Sequence, residues 1–376
     1  MRIAHIGLKG FPARFGADRA AEAIVRRLSS RHEITVYGSK GYMLPDYSIQ
    51  GVRLVCMPYM TGKFTHMTSV DFLAAWHAVL YGNYQLIHLH NIEASFVLPI
   101  LKMKYPVLTT ARGRMTSGNK WGWLAVFAMR LMEIPYALLS NLPTSVSRPD
   151  AEEFSAYFHR HIEYVPNGVD PAPDVDTESA RTILAARRLS PEKCILFAAG
   201  RIIPLKGAHL ILEAFRKVQG EYHLLIVGDL SQSSEYGTQL QSLADKRVVF
   251  VPFITSPATL LGLISLSTLF VFPSLSEGMS NMLLEVASVG VPALCSDIPA
   301  NLAILPNQAL YFSSGNSDDL ADKMNWALGH PEEMGYLGLR AQSWVRENFS
   351  WDAIAIQYER LYQDVVEKRS SAEMKR

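Results

Sequence analysis

Cysteine is scarce in this chain, and the little there is excludes a disulfide framework. Cys56, Cys194 and Cys295 are the only 3 among 376 residues. Each lies in an apolar run, and their spacing suits no metal site. An odd, scattered set of this kind reads as buried thiols in a reducing compartment. A dominant charge sign is missing too. Lys and Arg number 36 against 35 Asp and Glu, so the overall balance gives no case for nucleic acid as a partner. No uninterrupted apolar run reaches the length of a membrane span, and the opening MRIAHIG has the form of a first strand, not of a secretory signal. Two nucleotide fingerprints are absent. Gly7, Gly10 and Gly16 have the wrong spacing for G-x-G-x-x-G, which disfavours a dinucleotide-dependent dehydrogenase, and no Walker pattern occurs. Internal repeats and low-complexity segments are lacking as well.

What is present is a long alternation of apolar strands and amphipathic helical patterns. At this length two cores are expected rather than one. Strands are expected at Arg2–Gly7, Glu33–Tyr37, Val52–Met57, Leu86–His90, Val107–Thr110, Thr144–Ser147 and Glu163–Val165. A second series covers Cys194–Ala199, His223–Val227, Val248–Phe253, Leu269–Phe272, Pro292–Cys295 and Ala309–Phe312. Such an order argues for an α/β protein whose parallel sheets are covered on both faces. Pro166-Asn167-Gly168-Val169-Asp170 breaks the pattern, and the Pro- and Asp-bearing stretch after it is the candidate linker. Asp174-Val175-Asp176 lies in that stretch and reads as solvated loop. From Asp318 the chain is helical, and its last helix carries Ile354, Tyr358, Leu361 and Val365 on one face.

Two stretches carry chemistry. In the first, the strand ending at Phe272 passes through a Ser- and Gly-bearing turn into a helix, with Glu277 at the helix N-terminus and Glu285 two turns deeper. Backbone N–H groups at a helix start favour anions, and carboxylates accept hydrogen bonds from sugar hydroxyls. An isolated pair of glutamates at this spacing is commonly a cap and a solvated face, so the surrounding register decides. In the second, Gly200-Arg201-Ile202-Ile203-Pro204-Leu205-Lys206-Gly207 lies between a strand and a helix. A guanidinium, an ammonium and helix amides converging there make a diphosphate receptor that needs no metal.

The first stretch resembles the donor segment of family 4 retaining glycosyltransferases, E-x7-E followed by G-x-P and S-D. Here the positions are Glu277, Gly278, Glu285, Gly290, Pro292, Ser296 and Asp297. The second matches the same family's G-R-x4-K-G word, and P-N-G-V-D stands at its hinge. The resemblance implies the GT-B fold: two doubly wound Rossmann-like α/β domains facing across a cleft, with a C-terminal helix crossing back to the first. Residues 1–166 with roughly 358–376 would bind acceptor, and 167–357 would bind the nucleotide-sugar donor. It further implies that Arg201 and Lys206 neutralise the leaving diphosphate and Glu277 accepts from the transferred sugar. Glu285 would accept from the ribose, Gly278, Met279 and Ser280 would offer backbone amides, and Phe253 and Ile254 would lie by the base. Asp229 is a weaker candidate on the rim.

The first half matches less closely. GLKGFPARFGADR is similar to the first loop of related polysaccharide glycosyltransferases, but Ala17 replaces a glycine and Arg19 replaces an acid. Gly16 is retained and allows close backbone approach to the diphosphate, with Arg14 and Arg19 adding positive charge. Where many relatives have T-x-H-G, this chain has Thr110-Ala111-Arg112-Gly113. Arg112 cannot be a general base, but it can pair with a phosphate. His90, with His88 beside it in the same strand, is the alternative at the strand edge where open α/β sheets bind ligands.

The expected activity is retaining, metal-independent transfer of a sugar from a nucleotide-diphosphate sugar to a glycan or lipid-linked acceptor in surface polysaccharide biosynthesis. The alternatives are a sugar-nucleotide epimerase of the same fold and a non-catalytic scaffold partner. No cofactor beyond the donor is implied. The expected location is cytoplasmic, at the inner membrane face if Lys120–Leu142 rests on a bilayer with Trp121 and Trp123 at the interface and Lys120 and Arg130 toward headgroups.

Overall fold

The computed structural model describes all residues except 14–15, 45, 63–64, 114–122, 232–233 and 374–376, and the backbone alone at 123–126, 128–129, 234 and 372–373. Two compact units emerge. One comprises Met1–Asn167 with Trp351–Arg376, the other Gly168–Ser350.

The first unit is built on strands β1 (Arg2–Ile6), β2 (Glu33–Ser39), β3 (Val52–Met57), β4 (Leu86–His90), β5 (Val107–Ala111), β6 (Leu142–Ser145) and β7 (Glu163–Tyr164). They form one sheet in the order β3-β2-β1-β4-β5-β6-β7, every pair parallel. Successive side chains point to opposite faces. Ile3, Leu86 and Leu108 join one core, and Ala4, Ile6, Ile87 and Leu89 join another. The first core is closed by helix Gly16–Leu28, which buries Ala20, Ala21, Ile24, Val25 and Leu28 at helical spacing. Cys56, on the edge strand β3, is exposed, unlike the buried Cys194 and Cys295. The expectation of three buried thiols fails there, because an edge strand keeps one side open.

The C-terminal helix Trp351–Glu373 belongs to this unit. Its return begins at Trp351 and not near 358, since Trp351, Ile354 and Ala355 already pack into the same core. Tyr362, rather than Leu361, lies on its fully buried face. The Tyr362 hydroxyl sits 2.7 Å from His88 Nδ1, and the Tyr358 hydroxyl lies 3.4 Å from Thr110 Oγ1.

The second unit contains β8 (Cys194–Arg201), β9 (His223–Asp229), β10 (Val248–Val251), β11 (Leu269–Phe272), β12 (Ala293–Ser296) and β13 (Leu310–Phe312). Their order is β10-β9-β8-β11-β12-β13, again all parallel. Asp176 is not solvated loop, as the sequence suggested. Its carboxylate caps helix Thr177–Ala185 by accepting from the Ser179 amide at 2.9 Å and also accepts from Thr259 Oγ1 at 3.1 Å.

In a parallel sheet all strand C-termini share one edge, and ligands bind where the strand order reverses. That point falls between β1 and β4 in the first unit and between β8 and β11 in the second.

Candidate active site in the second unit and a buried polar cluster in the first

In the second unit the loops after β8 and β11 meet at the reversal. Gly207 has φ +71°, and a Cβ there would lie 2.0 Å from the Pro273 carbonyl oxygen. Only glycine permits that approach. The Leu275 amide donates to the Leu205 carbonyl at 2.8 Å and ties the loops together. Ser296 Oγ donates to the Ser274 carbonyl at 2.5 Å, and Asn301 Nδ2 holds the Ser296 carbonyl at 3.0 Å. The Asp297 carboxylate accepts from the Ser314 amide at 2.8 Å. Ser296 thus buttresses the loop that carries Glu277, while Asp297 holds the loop after β13.

The tied loops place Lys206 Nζ 2.5 Å from Glu277 Oε1, although 71 residues separate them. Lys206 is 28% exposed and Glu277 10%, so the pair is shielded on the carboxylate side and open on the ammonium side. An ammonium has three N–H donors, so one bond to Glu277 aims it and leaves two for a ligand. Arg201 ends β8, opposite Asp229 in register, with its side chain exposed. The Phe253 ring approaches the same strand end, 3.9 Å from where a Cβ on Gly200 would lie. Phe253 and Ile254 follow β10 as loop, not as the strand end expected, and Phe253 is exposed and Ile254 half-buried.

Glu277 does not lie at a helix N-terminus. Helix Asn281–Ser288 starts four residues later, capped by Ser280, whose hydroxyl accepts from the Leu283 amide at 3.2 Å. Ser is the stronger cap signal, and it wins over the E-x7-E spacing. Gly278 and Met279 lie in the loop ahead of the cap, Met279 buried, and Glu285 is half-buried in the helix. Asp229 holds its own loop by accepting from Ser231 N and Oγ at 2.8 and 2.6 Å.

The first unit repeats the device with other chemistry. Gly7, at φ +89°, follows β1, and a Cβ on it would lie 2.1 Å from the His90 carbonyl oxygen at the end of β4. Asn91 Nδ2 donates to the Gly7 carbonyl at 2.8 Å. Three fully buried imidazoles gather beneath. His5 is the register partner of His88, and His5 Nδ1 lies 3.0 Å from His90 Nε2. His88 reaches Tyr362 and Thr110, each at 2.7 Å. Arg112 donates through Nη2 to His90 Nδ1 at 3.3 Å and through Nη1 to Asn167 Oδ1 at 2.8 Å. Burial, then the Arg112 charge, pushes His5 down to about 3. Burial first, then neighbouring imidazoles and Arg112, lowers His88 and His90 well below the usual range. Both ring nitrogens of His90 are engaged, Nε2 with His5 and Nδ1 with Arg112. His5 and Asn167 were missed as members of this cluster, because a histidine inside a first strand and an asparagine in a turn look ordinary until register and packing join them.

These imidazoles are the only trio among the described residues close enough to share a metal ion. His88 and His90 stack at 4.0 Å between centroids and 25° between planes. Both ring nitrogens of His88 and of His90 already have partners, whereas His5 Nε2 is buried without one.

Gly16 opens helix Gly16–Leu28, and Arg19 is half-buried in its first turn. The acid that matters there is Asp18, which sequence reasoning passed over. It is buried and accepts from the Lys9 amide at 2.9 Å, and burial pushes it up to about 6. Arg14, Lys120, Trp121 and the side chain of Trp123 lie outside the described residues. In the rest of that segment, helix Trp123–Leu139 exposes Phe127, Leu131, Ile134 and Leu138 together with Arg130. An apolar groove of about 640 Å³, lined by Tyr59, Met60, Phe72, Leu73 and Phe96, opens beside helix Thr65–Tyr81. None of the described helices is long and apolar enough to cross a membrane.

A doubly wound parallel sheet with Arg201, Lys206 and Glu277 on the loops at its reversal point is a ligand-binding α/β arrangement, and comparison with known proteins gives the family. The family described as Glycosyl transferases group 1 matches residues 180–344, and Glycosyltransferase Family 4 matches residues 16–173. An uncharacterized glycosyltransferase of Methanocaldococcus jannaschii is 26% identical, covering 92% of this chain and 93% of its own. A GDP-mannose-dependent alpha-(1-6)-phosphatidylinositol monomannoside mannosyltransferase of Mycolicibacterium smegmatis is 24% identical over 90% and 92%. Among solved structures, Anabaena HepE in complex with UDP and glucose superposes with a TM-score of 0.79 at 16% identity, covering 97% of this chain and all of that one. The chain belongs to the group 1, family 4 glycosyltransferases of the GT-B fold and is a glycosyltransferase.

Proposed function

We propose that this enzyme moves a sugar, with retention of anomeric configuration, from a nucleoside-diphosphate sugar to a glycan or lipid-linked acceptor in surface polysaccharide assembly. The observation that carries the reading is the Lys206–Glu277 contact at the sheet's reversal point, on the loop that leaves β8 at the exposed Arg201. Arg201 and Lys206 neutralise charge growing on the departing diphosphate, the task a divalent ion performs in other transferases. Glu277 aims the Lys206 ammonium and accepts from a sugar hydroxyl. Glu285 accepts from the ribose, and the backbone at Gly278, Met279 and Ser280 lies along the sugar and distal phosphate. The acceptor hydroxyl attacks from the face the diphosphate leaves, and the leaving oxygen takes its proton.

The acceptor reaches the enzyme at an anionic membrane surface on the cytoplasmic side. The support is the exposed apolar row on helix Trp123–Leu139 together with the exposed Arg130 on the same helix and the exposed Lys102, whose ammonium reaches the Leu139 carbonyl at 2.7 Å. Such a surface attracts anionic headgroups while apolar side chains enter the interface.

Isotope-labelled nucleotide sugars, incubated with and without a membrane-lipid extract, test the reaction. Labelled glycolipid or glycan whose new linkage keeps the donor's anomeric configuration is the expected product. Inverted product would overturn retention, and a changed nucleotide sugar formed without acceptor would point to an epimerase. Sedimentation with phosphatidylglycerol vesicles, lost in Phe127→Asp with Leu131→Asp, checks the membrane contact.

A further inference from the structure

Arg112 is a guanidinium with no carboxylate within ion-pair distance, although the Asp18 charge still favours its charged form. Among the described residues it makes no ion pair. Its two partners, Asn167 Oδ1 and His90 Nδ1, are neutral, and its Nε is buried with no acceptor. Two of its five N–H groups are thus spoken for. The fork is fixed in plane by those two bonds, which is the preorganisation that bidentate recognition of an oxyanion uses. A half-buried cation that no carboxylate contacts directly is unfavourable for folding by itself, and departures of that kind concentrate where a ligand completes the site. The position agrees: Arg112 directly follows β5 on the strand edge where open sheets bind ligands, and the imidazole that steadies it ends β4 beside Gly7.

We propose that Arg112 is an oxyanion receptor of the first unit, taking a phosphoryl oxygen of the ligand while Asn167 and His90 hold the guanidinium in position. This rests on the glycosyl-transfer reading for the identity of the ligand. The phosphoryl group belongs either to the donor's diphosphate or to a phosphate carried by the acceptor; the chemistry is the same. Asn167 and His90 are positioning residues.

The test uses the full chain and Arg112→Gln, which keeps length and polarity but removes charge, with Arg112→Lys as the conservative variant. Calorimetry with UDP and with inorganic pyrophosphate, and steady-state kinetics with donor and acceptor varied separately, are the readouts. Charge-assisted bonds to a phosphate predict about a 10- to 100-fold weakening in Arg112→Gln, partly restored in Arg112→Lys, with thermal stability equal to or above wild type. Weakened UDP binding and a raised donor KM assign the phosphoryl group to the donor. A raised KM confined to phosphate-bearing acceptors, with UDP binding unchanged, assigns it to the acceptor. Unchanged binding and unchanged KM values, or lowered stability as the sole effect, overturn the proposal and make Arg112 structural. If wild type binds no nucleoside diphosphate, the reading of the second unit fails instead, and the pyrophosphate arm still decides Arg112.

Discussion

The two units solve one geometric problem and then part company. In each, a glycine at positive φ after the unit's first sheet-centre strand lets one loop press on the strand end across the reversal, Gly7 on His90 and Gly207 on Pro273. What lies there differs. The second unit presents a balanced, partly open Lys206–Glu277 pair, with Arg201 exposed at the end of β8. The first presents a stack of neutral, fully buried imidazoles supporting one guanidinium. Backbone topology selects the place on a sheet edge, and side-chain burial selects whether charge there is mobile and ready for exchange or locked in advance.

The largest effect should come from breaking the shared device. Gly207→Ala places a methyl against the Pro273 carbonyl and forces a side chain into a left-handed conformation, at a cost of about 3–4 kcal/mol. Gly7→Ala should cost a similar amount in the first unit. Urea unfolding followed by hydrogen exchange should localise each loss to its own unit. A loss shared equally between the units would contradict the parallel.

A slightly smaller effect sharpens the contrast in burial. Asp18 titrates near 6 in the folded chain against about 3.8 unfolded, so the folded state holds the proton more tightly. Stability is therefore fully present below about pH 4 and falls as pH rises through 6. Asp18→Asn, which still accepts from Lys9, should be more stable than wild type by about 3 kcal/mol at pH 7, with the advantage gone at pH 4. The buried imidazoles pull the other way, losing stability as pH drops below 6.5, so the difference between variant and wild type is the quantity to measure. A difference independent of pH would show that Asp18 is already ionised at low pH.

The smallest effect concerns the cap that displaced Glu277 from the helix. Ser280→Ala should cost about 1 kcal/mol, read from denaturant midpoints, with donor binding barely altered. A large loss of binding would give the Ser280 hydroxyl a direct role.

How far the sequence anticipates this depends on whether a feature is local. Every observed strand overlaps an expected one, and β8, β9 and β11 stand out because strands buried on both faces read as nearly continuous Val, Ile, Leu and Phe. The words that carry Lys206 and Glu277 were legible, though the meeting of the two side chains was not, since it joins loops 71 residues apart. The Glu277 position was misjudged for the opposite reason: helical spacing was given precedence over the local cap at Ser280. The His5–His88–His90–Arg112–Asn167 cluster was legible only in fragments. His5 and His88 become neighbours through the β1–β4 register, which nothing in either strand announces, and Asn167 joins from the end of the unit.

The central claim is that protein cations, Arg201 and Lys206, hold the donor's diphosphate. Calorimetric titration of UDP and other nucleoside diphosphates in EDTA tests it most directly. The account predicts that binding persists without divalent metal and weakens at least 100-fold in Arg201→Ala and in Lys206→Ala, with melting temperatures unchanged. Binding abolished by EDTA, or indifferent to both substitutions, would contradict it.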